Sequence, residues 1–163
     1  MCPSRTSSFV FVEERGVYLS RQGIVDANLL AHRDEAIDLI DGVIDFNPDA
    51  PSMTAVKQLL VSDPVFNGHF PGNPVCRGTD MIEMCQLSAA LFYFCLHGEI
   101  TGLPLPRGID RVVYRSKALP NDVLFIKMVK PQMERMFFSC SAVVKNQRGE
   151  KVITIEKIRG LMT

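Results

Sequence analysis

Two residue types suited to acid–base chemistry, and a glycine that can expose a backbone donor, fall in one short stretch. His69 lies in the string Gly68-His69-Phe70-Pro71-Gly72-Asn73-Pro74-Val75-Cys76-Arg77-Gly78, and Glu83 follows fourteen residues after it. Histidine titrates near neutral pH, so it serves as a general base without strong perturbation. Glu83 has Met81, Ile82, Met84 and Cys85 as neighbours. A carboxyl group buried among such side chains favours its neutral form and becomes a proton donor, which a departing hydroxyl needs. The dipole at a helix N-terminus pulls the other way, toward the anion. Gly78 stands where the loop meets that helix, and the first N–H groups of a helix have no intrahelical acceptor. They can donate to a carbonyl oxygen, and a glycine lets that oxygen come close. Each residue also has a plainer reading: a turn-bonding histidine, an exposed glutamate, a tight-turn glycine. Asp80, in the first helical turn, reads as ordinary dipole and capping chemistry.

The elements around these residues must hold them. Residues 63–78 contain Pro64, Gly68, Pro71, Gly72, Pro74 and Gly78, too many breakers for regular structure, so they form an ordered loop. Thr79 to His97 reads as one helix of about five turns, apolar on nearly every face in its second half. It therefore needs other structure on most sides, and Gly98 is its C-cap. Before the loop, Ala36 to Phe46 alternates apolar and acidic residues, a half-buried strand with Ile37, Leu39, Val43 and Ile44 toward a core. Asn47-Pro48-Asp49 is a turn, and Met53 to Val61 returns antiparallel. After the helix, a Pro-rich loop (Leu103 to Pro106) leads to strands at Ile109 to Tyr114, Val123 to Lys130 and Met136 to Lys145. Asn146 to Gly149 is a hairpin turn into Lys151 to Arg159. Phe9 to Ser20 is a candidate hairpin about Arg15-Gly16, and Asp26 a candidate N-cap for a short helix through Leu29 and Leu30. Strands, one long buried helix and then more strands imply an α+β fold with an antiparallel sheet packed around the helix, or a second subunit covering it.

The chain has 163 residues, enough for one domain with a sizeable core. Lys plus Arg and Asp plus Glu are both 18, so no net field points to nucleic acid or a membrane surface. Cys2, Cys76, Cys85, Cys95 and Cys140 are odd in number and form no C-x-x-C pair, which speaks for free, mostly buried thiols in a reducing compartment. The N-terminus lacks a signal-peptide apolar core, and the most apolar stretch, Met81 to Leu96, is too short to span a bilayer. A soluble, cytoplasmic protein is expected.

The string H-F-P-G-x-P-V-x-x-G, from His69 to Gly78 with the acid at Glu83, closely resembles the FabZ and FabA dehydratases, 3-hydroxyacyl-[acyl-carrier-protein] dehydratases with the hot-dog fold. The resemblance extends from Leu29-Leu30-Ala31-His32-Arg33 to the C-terminal strands. Residues 29–163 are thus read as the hot-dog domain and residues 1–28 as an N-terminal extension. The resemblance implies a curved sheet wrapped around the long helix. It makes His69 the base that takes the C2 proton, Gly78 the residue whose N–H polarises the thioester carbonyl, and Glu83 the acid that helps the C3 hydroxyl leave. The acid is glutamate in FabZ-like and aspartate in FabA-like proteins, so the chain is FabZ-like. No metal or redox cofactor is implied. The implied partners are an acyl carrier protein and a second copy of the chain, with His69 of one subunit near the acid of the other, and trimers of such dimers. Arg77, Arg107, Arg111, Arg115 and Lys117 form a candidate patch for the acidic carrier. The chain departs from the resemblance in having Cys76-Arg77 where the family usually has Met-Pro, and Leu87 where a glutamine often follows the acid, with Gln86 one residue earlier. The alternative to an active dehydratase is a non-catalytic hot-dog subunit that binds acyl chains or stabilises a partner. A hot-dog thioesterase fits the loop less well.

Overall fold

The computed structural model describes residues 19, 20, 23, 24, 39–98 and 104–162. They form a seven-stranded sheet with one long helix packed against it, an α+β hot-dog architecture. The strands are β1 (Leu19–Ser20), β2 (Gly42–Asn47), β3 (Ser52–Gln58), β4 (Pro104–Tyr114), β5 (Val123–Glu134), β6 (Phe137–Lys145) and β7 (Lys151–Met162), and the helix is α1 (Gly78–His97). Sheet order is β1-β2-β3-β5-β6-β7-β4, and every neighbouring pair is antiparallel.

The core lies between α1 and one face of the sheet. Met81, Met84, Cys85, Leu87, Ala89, Leu91 and Phe92 of the helix are buried there, against residues such as Met53, Ala55, Ile126, Met128, Ala142 and Ile155. Ser88, in the same buried stripe, satisfies its hydroxyl by donating to the Met84 carbonyl at 2.8 Å. Tyr93 to Leu96 stay half-buried, so the far end of the helix is covered less than its apolar sequence leads one to expect. Gly98 closes the helix in the left-handed region (φ 79°), its N–H donating to the Phe94 carbonyl.

Several sequence expectations move. The first long strand begins at Gly42 rather than Ala36; residues 36–38 lie outside the described residues, and Leu39 to Asp41 are not strand. The Asp41 N–H still donates to the Val56 carbonyl at 2.8 Å, while its carboxylate accepts from the Gln58 N–H at 2.7 Å and faces Lys57 at 3.5 Å. Leu39 and Val43 reach the main core as expected, but Ile44 packs on the other side of the sheet with Val56, Val123 and Phe125. A register shift between Val43 and Asp45 accompanies it. The Pro-rich segment read as a loop is strand from Pro104 onward. Among the described residues β4 sits at the sheet edge and pairs only with β7, where a residue without an N–H leaves no internal ladder bond unmade. β5 continues past Pro131 through a register shift between Val129 and Gln132, so it outruns its expected end at Lys130. Asn146 to Gly149 is the expected turn, with Gly149 at φ 80°. Of the hairpin placed at Phe9 to Ser20, only Leu19 and Ser20 are described, as β1; the helix placed after Asp26 lies outside the described residues.

Candidate active site

The loop between β3 and α1 is a run of turns closed by its own backbone. Asp63 precedes a single 3-10 turn, Pro64–Phe66. The His69 N–H donates to the Phe66 carbonyl at 3.3 Å, and the His69 carbonyl accepts from the Val75 N–H at 2.9 Å. Between them, Phe70 and Asn73 bond to each other's backbone, and Gly72 supplies the positive φ (76°) that this turn needs. The His69–Phe70 peptide is cis. Two further bonds fasten the loop to the body: Cys76 N–H to the Ala118 carbonyl at 2.9 Å, and Arg77 N–H to the Val65 carbonyl at 3.2 Å. The His69 ring is half-buried and lies 4.3 Å, centroid to centroid, from the exposed ring of Phe70. The histidine is thus held by a fixed backbone while its ring stays accessible, which is how a loop on a rigid scaffold presents a reactive group.

Beneath the loop lies a buried ion cluster that the sequence reading did not single out. Lys57 is 1% exposed, and its Nζ stands 3.5 Å from carboxylate oxygens of both Asp41 and Asp63. Asp63 also accepts from the Leu60 N–H at 2.8 Å. The signal was available: Met53, Ala55 and Lys57 alternate along one face of β3, with Leu59 just past its end in the same spacing, and the other three are fully buried.

α1 begins at Gly78, with Arg77 at its N-cap making no side-chain cap bond. Arg77 instead donates from Nε to Asp80 at 2.8 Å, an (i, i+3) pair in the first turn. Asp80 therefore plays the ordinary role expected of it. Gly78 is packed tightly: a β-carbon built there would stand 2.8 Å from Cε1, Cζ and Oη of Tyr114, the last residue of β4. Glu83 lies in the second turn and is half-buried, flanked by the buried Met81 and Met84. The apolar enclosure expected for it is only partial within one chain. Met84, Leu87, Leu91 and Phe92 are core.

The four described cysteines are free, and three of them are buried. Burial pushes the thiols of Cys76, Cys85 and Cys140 up to about 12, with Asp80 adding to the effect at Cys76, and that of Cys95 up to about 11. None has the depressed pKa of a nucleophilic cysteine. Arg107, Arg111, Arg115 and Lys117 are all exposed on or just after the edge strand β4; Arg111 stands 3.9 Å from Glu156. Among the described residues no cluster of histidine, cysteine and carboxylate suits a metal ion, and no helix is long and apolar enough to cross a membrane.

The FabA-like domain family matches residues 30–156. The chain is 34% identical over 128 residues to the bifunctional enzyme LpxC/FabZ of Chlorobaculum tepidum, covering 77% of this chain and 26% of that enzyme, so it spans about a quarter of the longer protein. It is 35% identical over 103 residues to the 3-hydroxyacyl-[acyl-carrier-protein] dehydratase FabZ of Thermotoga neapolitana, covering 63% of this chain and 71% of that one. Among solved structures, the dehydratase heterocomplex ApeI:P of Xenorhabdus doucetiae superposes with a TM-score of 0.65 at 16% identity, covering 80% of this chain and 86% of that one. Thioesterase structures superpose comparably. At such identities the structural likeness speaks for the fold alone.

Proposed function

Because the chain belongs to the FabA-like domain family, we propose that it is a dehydratase that removes water from a 3-hydroxyacyl thioester, carried on acyl carrier protein, to give the trans-2-enoyl thioester. The observation that carries this reading is the juncture of the closed His69 loop with the start of α1. It presents an accessible imidazole, and it opens a helix at a glycine, followed one turn later by Glu83. The backbone N–H of Gly78 polarises the thioester carbonyl, His69 takes the C2 proton, and Glu83 protonates the departing C3 hydroxyl. The FabZ relatives and the family match support dehydration over thioester hydrolysis.

The resemblance to FabZ sets His69 of one subunit beside Glu83 of the other, so the reading places the complete site in a homodimer. β4 is an 11-residue edge strand whose outer side has no partner strand among the described residues. A long edge of this kind pairs readily with another strand. β4 ends at Tyr114, against Gly78, so a second copy paired along it sits beside the start of α1 and can bring its His69 loop toward Glu83. A trimer of such dimers extends the same reading, as does a cytoplasmic location. The exposed arginines beside that edge suit an acidic carrier protein.

The test is direct. The protein is incubated with a 3-hydroxyacyl thioester and enoyl absorbance is followed; wild type produces signal, and His69→Ala loses at least ~100-fold in rate. A silent wild type, or an unchanged rate in His69→Ala, overturns the assignment. Mixing His69→Ala with Glu83→Gln after subunit exchange restores about a quarter of wild-type activity if each site is shared, since half the dimers are mixed and each holds one intact site. No recovery would place both groups in one chain.

A further inference from the structure

At the start of α1 the ring of Tyr114 lies against Gly78 through the edge that carries its hydroxyl. A β-carbon on Gly78 would stand 2.8 Å from Cε1, Cζ and Oη alike. The phenol therefore occupies the space a side chain at position 78 would take. Tyr114 is 52% exposed, and among the described residues its hydroxyl has no hydrogen-bond partner. The neighbouring cation does not compete for this place, because Arg77 is turned back onto Asp80. Two donors, one from the backbone of α1 and one from the side chain of β4, thus stand side by side.

We propose that Tyr114 is a further catalytic residue, its hydroxyl donating to the same thioester carbonyl oxygen as the Gly78 N–H. This rests on the dehydratase reading above. When His69 takes the C2 proton, the electron pair of the C2–H bond moves into the C1–C2 bond and negative charge collects on the carbonyl oxygen. That oxygen then accepts from both donors. The pair returns to form the C2=C3 bond as the C3–O bond breaks, and the oxygen leaves as water with the proton of Glu83. Two donors on different elements fix the carbonyl's direction as well as its charge, so the hydroxyl orients the substrate while it stabilises the enolate. Burial, with Cys85 nearby, pushes the Tyr114 phenol up from its ordinary value, so it keeps its proton throughout the neutral range. The same contact explains why position 78 is glycine here: alanine would keep the backbone N–H but push the phenol away.

Tyr114→Phe removes the hydroxyl and leaves the ring. It is expected to lower kcat by at least ~10-fold, with KM within about twofold, since the lost interaction strengthens as charge develops. Gly78→Ala is expected to lose a similar factor, and the double variant no more than either single one, because both remove the same contact. Binding is read separately from turnover by the vibrational frequency of a 13C-labelled carbonyl in a bound crotonyl thioester of N-acetylcysteamine. Wild type lowers that frequency, and Tyr114→Phe lowers it less. Unchanged kcat and carbonyl frequency in Tyr114→Phe overturn the role of Tyr114 and leave the dehydratase reading standing. A wild type without turnover that still shows the Tyr114-dependent frequency shift overturns the reaction and keeps the hydroxyl donor. A wild type with neither overturns both.

Discussion

Replacing Lys57 with methionine is expected to destabilise the protein far more than an ordinary lysine substitution and to slow catalysis as well. The ammonium is 1% exposed, with carboxylate oxygens of Asp41 and Asp63 at 3.5 Å. At an effective dielectric constant near 20, each such pair is worth about 5 kcal/mol of attraction. Most of that offsets the cost of taking the three charges out of water, so the intact cluster contributes little net stability. Removing the lysine alone is another matter. The methionine fills the space, but two carboxylates remain buried without the ammonium between them, while still accepting from the N–H groups of Gln58 and Leu60. The expected loss is ~3–5 kcal/mol, a fall of about 6–20 °C in Tm for a chain of this size. Asp63 heads the segment whose backbone bonds pass through Phe66 to His69, so the loosened cluster also displaces His69, the proposed base. Chemical denaturation measures the first effect and the enoyl assay the second. Changing both aspartates to asparagine in the Lys57→Met background should recover part of the stability, because it removes the stranded charges. A Lys57→Met protein that unfolds within about 1 kcal/mol of wild type would refute the reasoning.

Two further outcomes follow from other buried groups. Burial alone would raise the Asp122 carboxyl, but bonds from the Arg148 guanidinium, the Leu119 N–H and the Gln147 amide hold it below the ordinary range. A depressed folded pKa contributes stability above the unfolded carboxylate value and loses it as pH falls through the folded one. Asp122→Asn should therefore flatten the acid limb of a stability–pH profile from urea midpoints; an unchanged slope would exclude the effect. For the raised thiols, alkylation at mildly alkaline pH followed by peptide mass analysis should find Cys95 modified first, and Cys76, Cys85 and Cys140 only as fast as the protein unfolds. Rapid modification of Cys85 in the native protein would contradict its burial.

Much of the candidate site was legible in order of residues because its logic is local. The density of Pro and Gly from residue 63 to 78 excludes regular structure, and the apolar run after Gly78 requires a helix that begins there. His69 and Glu83 are chemically conspicuous against those surroundings. Gly98 and Gly149 end or turn their elements through positive φ, again a property of the residue itself. The strand boundaries were less legible: the expected strand starts later, at Gly42, beside an Asp41 whose carboxylate faces a partner 16 positions away, and Pro104 to Pro106 join a strand that is an edge. Such facts depend on what lies alongside, which alternation along one segment does not encode. The two contacts that bear most on mechanism are of the same kind. Lys57 is drawn into the core by carboxylates from outside its strand, and the Tyr114 phenol reaches Gly78 across 36 positions of chain. The sequence alone singled out His69, Glu83 and the helix-start glycine as candidates; only the tertiary structure decided what braces the first and what lies over the last, because side-chain packing brings together residues that are distant along the chain.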